Sequence, residues 1–139
     1  MNEPLYTTEI LRLAASLSAP HDLDREDGSA EVRSVTCGSR VHLAVQLDDD
    51  RCIERLSMRV HACAFGQASA ALVEHHSRGL THEQVSAAML QISRWLASEH
   101  DDCSAWPGMT ALEPARSRKA RHGAILLPFR ALLAAMEAA

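Results

Sequence analysis

Aromatic residues are scarce in this sequence, at 4% of the chain, although 47% of its residues are hydrophobic. A core of this composition has to be built from Ala, Leu, Val, Ile and Met, which is typical of helix-rich packing. The length of 139 residues is enough for one compact hydrophobic core and short for two. The sequence therefore predicts a single domain over residues 1–139 in which helix exceeds strand.

Positive charge is also in short supply, since the formal net charge is -4 and the pI is about 6.0. A chain without a basic field is a poor ligand for a phosphate backbone, so we do not expect nucleic acid as a partner. Long apolar runs are lacking too: stretches such as Ala124 to Leu127 are far shorter than a membrane span. No charged-then-apolar leader is seen, and we expect a cytoplasmic protein without membrane contact.

Four residues near the start of the chain recur at spacings of four, three and four. They are Tyr6, Ile10, Leu13 and Leu17. This spacing places them on one face of a helix, which is expected to end before Pro20. Residues 21–30 are polar and acidic without a period, so the sequence predicts an exposed loop there.

Alternating apolar residues predict an antiparallel hairpin in the middle of the chain. The alternating positions are Val41, Leu43, Val45 and Leu47, followed after an acidic turn by Leu56, Met58 and Val60. Residues 32–35 can add a third, shorter strand. A sheet with one apolar face needs helices laid across it, and we expect the first, second and last helices to cover that face.

Further helices are predicted after the hairpin. Small residues from Ala68 to Val73 form a helical run in the second helix, which Gly79 is expected to end. Thr81 and Gln84 have the spacing of a capping box and predict the start of the third helix. The fold class is therefore α+β, a three-stranded antiparallel sheet packed against an N-terminal helix and several C-terminal helices.

The C-terminal part of the chain is predicted as a loop followed by a helix. Residues 99–108 are acidic and then contain Trp-Pro-Gly, which indicates a loop, with one short turn at Met109 to Leu112. Residues 118–138 are rich in alanine and form the last predicted helix. Pro128 lies inside it and should kink the helix or begin it anew.

Four cysteines, Cys37, Cys52, Cys63 and Cys103, occur without an export signal. Reduced thiols or metal ligands are therefore expected rather than disulfides. Cys37 is followed by Gly38 just before a strand, and Cys63 lies between a strand and a helix. Taken alone, such cysteines are commonly buried packing residues, so both interpretations stay open at this point.

Taken in order with the elements around them, these two cysteines resemble the scaffold family of iron-sulfur cluster assembly, of the NifU N-terminal, IscU and SufU type. In that family a Cys-Gly-Asp turn opens a strand, and a second cysteine lies where the hairpin runs into a helix rich in Ala and Ser. Cys37-Gly38 matches the first motif, and Cys63 with residues 64–72 matches the second. The first helix and residues 99–121, which are similar to the SufU branch, extend the resemblance over nearly the whole chain.

Two residues of the family pattern are replaced in this sequence. Gly123 stands where the family has its third cysteine, and Ser39 stands where it has the aspartate of Cys-Gly-Asp. His122 matches the histidine that some members carry just before the third cysteine. The resemblance therefore implies Cys37, Cys63 and His122 as the metal ligands that remain.

Three ligands suit zinc with an open fourth position, whereas a [2Fe-2S] cluster is held by four. We therefore expect bound zinc, or iron, and a cluster that is labile if it is present at all. His61, two residues before Cys63, is a conceivable fourth ligand if the strand continues that far. The alternative is that Cys37 and Cys63 are packed as small apolar groups and bind nothing.

The positive residues before the last helix admit two interpretations. They are Arg116, Arg118, Lys119 and Arg121. Such a group is either a solvated charged face or a docking surface for an acidic partner, which in the family would include the cysteine desulfurase or other iron-sulfur assembly proteins.

Two functions follow from these observations. The first is a scaffold-like protein that binds metal or accepts sulfur from a cysteine desulfurase. The second is a metal-free interaction or regulatory module that keeps the scaffold fold. An independent enzyme is not expected, because no Ser-His-Asp order, phosphate-cradling glycine loop or paired-carboxylate motif stands out.

Overall fold

The sheet consists of strands β1 (Gly28–Arg33), β2 (Arg40–Leu47) and β3 (Ile53–His61). In this computed structural model, which describes residues 6–35 and 38–139, the strands pair antiparallel in the order β1-β2-β3. The alternation in β2 predicted its orientation correctly: Val41, Leu43 and Val45 are all fully buried on the face that carries the helices. The antiparallel hairpin and the α+β class are confirmed.

The first strand begins earlier than the sequence predicted. We expected it at residues 32–35 and a loop over 21–30, but β1 starts at Gly28, whose Cα pairs with that of Val45. A Cβ on Gly28 would lie 2.1 Å from the carbonyl oxygen of Ala135. Because the strand passes this close to a helix, only glycine fits at its first position. Glycine is more typical of loops than of strands, which is why the sequence predicted a loop here.

Residues 21–27 also cover part of the opposite face of the sheet rather than extending into solvent. The His21 N–H donates to Ser57 Oγ at 2.9 Å, and the Arg25 N–H donates to Gln46 Oε1 at 3.2 Å. Ser57 and Gln46 are buried although they face away from the main core. The acidic segment therefore forms hydrogen bonds along its length despite its exposed side chains.

Within the described residues the α-helices are α1 (Thr8–Ala15), α2 (Ala64–His76), α3 (His82–Leu96) and α4 (His122–Glu137). α4 lies across β1 and β2, and α2 packs beside it against β3. α1 packs on α2 instead of on the sheet, so the expectation that the first helix covers the apolar face is corrected. Two short 3-10 helices, Met109–Ala115 and Lys119–Arg121, join α3 to α4.

The predicted capping box is present at the start of α3. Thr81 Oγ1 accepts from the Gln84 N–H at 3.2 Å, and Gln84 Oε1 accepts from the Thr81 N–H at 2.9 Å. α4 continues through Pro128 as one helix, so it is not begun anew there. Among the described residues, no helix has both the length and the apolar character needed to cross a membrane.

Candidate metal centre

The β1–β2 loop and the junction between β3 and α2 lie at the same end of the sheet. Arg40, the first residue of β2, pairs with His61, the last residue of β3. The loop is closed at its base, where the Ser34 N–H donates to the Ser39 carbonyl at 2.8 Å, and Gly38 adopts a φ of 72°. Cys37, the first predicted ligand, lies outside the described residues.

Cys63 occupies the N-cap position of α2. Its backbone is extended, with φ -66° and ψ 173°, and its side chain is half-buried. In the described part of the chain its thiol makes no capping hydrogen bond, which is the usual task of an N-cap side chain. The sulfur therefore lies at the positive end of α2 but does not cap it. This position favours a negatively charged thiolate, the form in which cysteine binds metals.

The first turns of α2 and α4 lie against each other. A Cβ built on Gly66 would be 3.3 Å from the Ala124 carbonyl oxygen and 3.4 Å from the Ala124 Cβ. One turn further along α2, the buried Ser69 Oγ donates to the Ile125 carbonyl at 2.6 Å. Small residues on both helices allow this close approach. The contact brings the N-terminal end of α4, which carries His122, towards the end of α2 that carries Cys63.

His122, the first residue of α4, has a defined hydrogen-bonding role. Its Nε2 lies 2.8 Å from the Ala115 carbonyl oxygen and 3.2 Å from that of Arg116. A carbonyl oxygen only accepts, so Nε2 carries the ring proton and the lone pair of the neutral ring is on Nδ1. Histidines that bind metals typically donate their second ring N–H to such an acceptor. Nδ1 of His122 is therefore the nitrogen that suits a metal.

The two replaced positions differ in their surroundings. Gly123 is the second residue of α4 and offers no ligand. Its φ is not positive, so its backbone has the conformation that other residues adopt in a helix. Ser39 is buried, with 5% of its surface exposed, at the base of the β1–β2 loop.

The described residues supply only part of a metal site. Within residues 6–35 and 38–139, no group of three or more His, Cys, Asp and Glu side chains is placed to hold an ion. Cys63 and His122 provide one thiolate and one imidazole, which are donors that zinc and iron accept. This donor chemistry fits a metal ion, but a third ligand has to come from Cys37. The predicted three-residue set remains a prediction.

The structure does not support His61 as a fourth ligand, because that prediction required β3 to continue as far as Cys63. β3 ends at His61, so strand alternation does not carry it and Cys63 to one side of the sheet. Its side chain is exposed, and its strand partner is the cationic Arg40.

The other described cysteines lie elsewhere. Cys52 is in the turn between β2 and β3, where partial burial, followed by the carboxylates of Asp48 and Asp50, raises the pKa of its thiol. A raised pKa disfavours the thiolate that binds metals. Cys103 lies in the loop after α3, with its sulfur 3.5 Å from Thr110 Oγ1.

The positive segment before α4 does not act as one surface. Arg116 is turned inward, with 17% of its side chain exposed, and its Nε donates to the Trp95 carbonyl at 2.9 Å. Arg118 and Lys119 are exposed. Local sequence contains no signal that separates Arg116 from its neighbours, because its partners lie some 15 to 21 residues away.

Comparison with known proteins identifies the fold. No family model matches the chain, and no curated protein matches it by sequence. Its structure is similar to that of a nitrogen-fixing NifU-like protein (N-terminal) from Brucella abortus, with a TM-score of 0.81 and 29% identity over 96% of this chain and 92% of that one. It is also similar to a protein from Fervidobacterium islandicum AW-1 assigned to the SUF system as an iron-sulfur cluster assembly scaffold. That match has a TM-score of 0.80 and 19% identity over 95% of this chain and 96% of that one.

The second match, at 19% identity, concerns the fold alone, and the first combines the same fold with 29% identity. The resemblance that the motifs indicated is thereby confirmed. By its structure, this chain has the fold of NifU-like and SufU-like proteins of iron-sulfur cluster assembly, and it resembles that scaffold family.

Proposed function

We propose that residues 1–139 act as a scaffold-like domain in iron-sulfur cluster assembly, in the cytoplasm, and bind one zinc or iron ion through Cys37, Cys63 and His122. The observation that carries this proposal is the hydrogen bonding of the His122 ring. Its Nε2–H is committed to backbone carbonyls, which leaves Nδ1 as a ligand at the start of a helix that packs against the Cys63 helix. Turnover of a substrate is not part of the proposed role.

Zinc suits this set of ligands better than a cluster does. Two thiolates and one imidazole bind zinc tetrahedrally with the fourth position open to water. A [2Fe-2S] cluster requires about four ligands, and Gly123 and Ser39 remove the cysteine and the aspartate of the family pattern. Any cluster assembled here would therefore be labile.

Sulfur acceptance is the second part of the proposal. The Cys63 thiolate would attack the outer sulfur of a persulfide on a cysteine desulfurase. A new sulfur–sulfur bond forms at Cys63, the persulfide bond breaks, and the cysteine of the desulfurase leaves as a thiolate. The half-buried position of Cys63 at a helix N-terminus supports this, because the sulfur is accessible and lies at the positive end of the helix.

A metal-free interaction module is the alternative function, and one observation favours it. Val35, in the β1–β2 loop, has 100% of its surface exposed. A completely exposed apolar side chain in this loop is available for contact with a partner protein. The partner in this case would be another iron-sulfur assembly protein.

Elemental analysis of freshly purified protein separates the two functions. We expect the wild type to contain zinc or iron close to stoichiometry, and the Cys37→Ala, Cys63→Ala and His122→Ala variants to lose most of it. Cys52→Ala is the matched control, since it removes a thiol remote from the site, and should keep the wild-type metal content. A wild type free of metal would favour the interaction module, and a Cys63→Ala variant that retains the wild-type metal content would show that Cys63 is not a ligand.

Cluster stability is tested by anaerobic reconstitution with iron, sulfide and desulfurase. The wild-type protein is expected to lose any cluster absorption on desalting. Absorption that survives desalting would show that the chain holds a durable cluster in spite of Gly123 and Ser39.

A further inference from the structure

The Arg116 side chain ties the segment before α4 to the end of α3. Its Nη2 donates to the His100 carbonyl at 3.0 Å and to Asp101 Oδ1 at 3.1 Å. Its guanidinium carbon also lies 5.1 Å from the centroid of the Trp95 ring, within the range of a cation–π interaction. With the bond from Nε to the Trp95 carbonyl, these contacts use Nε, Nη2 and the face of the guanidinium group, and they leave it little freedom.

The backbone of the same residue receives His122. The ring Nε2–H is shared between the carbonyls of Arg116 and Ala115, and the Ala115 carbonyl also accepts the Arg118 N–H at 2.9 Å. Ala115 itself is fully buried. The side chain of Arg116 therefore holds in place the carbonyls that fix the orientation of the His122 ring.

We propose that Arg116 is a positioning residue of the metal centre, which acts through the Ala115 and Arg116 carbonyls to keep the proton of His122 on Nε2 and its lone pair on Nδ1. The inference rests on the proposed function in one respect, namely that His122 is a ligand. The hydrogen-bonding part concerns the metal-free protein and stands without it. The metal in this proposal is a zinc ion, which binds the unprotonated nitrogen of a neutral imidazole ring.

The first test is nitrogen NMR of the histidine rings in the metal-free wild type, at a pH where His122 is neutral, with the signals assigned by a His122→Gln variant. We expect His122 to show a protonated Nε2, in slow exchange with water, and an unprotonated Nδ1. A ring protonated on Nδ1 would overturn the proposal by itself, whatever the variants do.

The second test compares Arg116→Gln with Arg118→Gln. The two variants remove the same charge from the same segment, but Arg118 is exposed. Arg116→Gln is expected to give a mixture of His122 tautomers with fast exchange, and to weaken zinc binding by about 10-fold, the loss typical when a partner of a metal-binding histidine is removed. Arg118→Gln should leave both the tautomer and the zinc affinity unchanged.

The outcomes separate this proposal from the proposed function. If the wild type binds no zinc, the proposed function fails, while the tautomer comparison still decides the role of Arg116. If Arg116→Gln weakens zinc binding but His122 keeps its wild-type signals, Arg116 has only a general structural role and the inference is wrong. Should Arg116→Gln not fold, Arg116→Lys replaces it, because lysine keeps the charge but cannot make three directed hydrogen bonds to three separated acceptors.

Discussion

Replacement of Gly66 by alanine tests whether the close contact between α2 and α4 positions the metal centre. The new Cβ would lie 2.6 Å from the Ala62 Cβ and 3.3 Å from the Ala124 carbonyl oxygen. The first distance is shorter than any carbon–carbon contact can be, and neither neighbour is a flexible side chain, so backbone has to move. The affected backbone carries Cys63 on one side and the start of α4 on the other.

The expected change in stability is the difference of two effects. Overpacking in a well-packed core costs about 1–3 kcal/mol, and exchanging glycine for alanine within a helix recovers about 0.5–1 kcal/mol. The Gly66→Ala variant should therefore be destabilised by about 1 kcal/mol, and by at most roughly 2.5 kcal/mol, which for a chain of this length lowers Tm by roughly 3–8 °C. Thermal and urea unfolding of the metal-free protein measure this. Zinc affinity should fall in the same variant, because Cys63 and His122 move relative to each other.

A second substitution supplies the control. Ala62→Gly combined with Gly66→Ala removes the 2.6 Å contact and keeps the gain in helix propensity. The double variant should be more stable than the sum of the two single changes, by a coupling energy of about 1 kcal/mol. A Gly66→Ala protein at least as stable as the wild type, or a double variant that shows no coupling, would refute the packing argument.

Three further predictions concern the missing ligand, a carboxylate and a helix cap. Gly123→Cys should bind zinc at least 10-fold more tightly than the wild type in a competition titration, since it restores a thiolate, and only its combination with Ser39→Asp should give a cluster that survives desalting. The hydrogen bond from Arg25 and then that from a backbone N–H lower the pKa of Asp27, so its contribution to stability is present above about pH 4 and is lost as pH falls through the folded-state pKa. The stability difference between the wild type and Asp27→Asn, followed by urea unfolding at several pH values, should accordingly shrink on acidification, and a constant difference would contradict this. Thr81→Ala should lower the free energy of unfolding by about 1 kcal/mol, and an unchanged urea midpoint would show that the cap contributes nothing.

Much of the fold could be predicted from the sequence because its signals are local. The alternation of Val41, Leu43 and Val45 reports burial on one face of a strand, and Thr81 with Gln84 reports a helix start within four residues. Both patterns depend on neighbours in the chain, so they can be read without knowledge of the fold. The site residues carry no such local signal: Cys63 and His122 follow from the family resemblance, and no spacing in the sequence relates them.

What the sequence determined by itself is thus the class of the fold, the order of its elements and the absence of a cysteine side chain at Gly123. The packing of the folded chain determines which nitrogen of His122 carries the proton, because the accepting carbonyls lie 6 and 7 residues earlier in a 3-10 turn rather than in the same helix. It also determines that Arg116 faces inward, and that β1 begins at a glycine that lies against the end of α4. These features depend on contacts between different elements of the fold, and such contacts are fixed by how the elements pack, not by any local period.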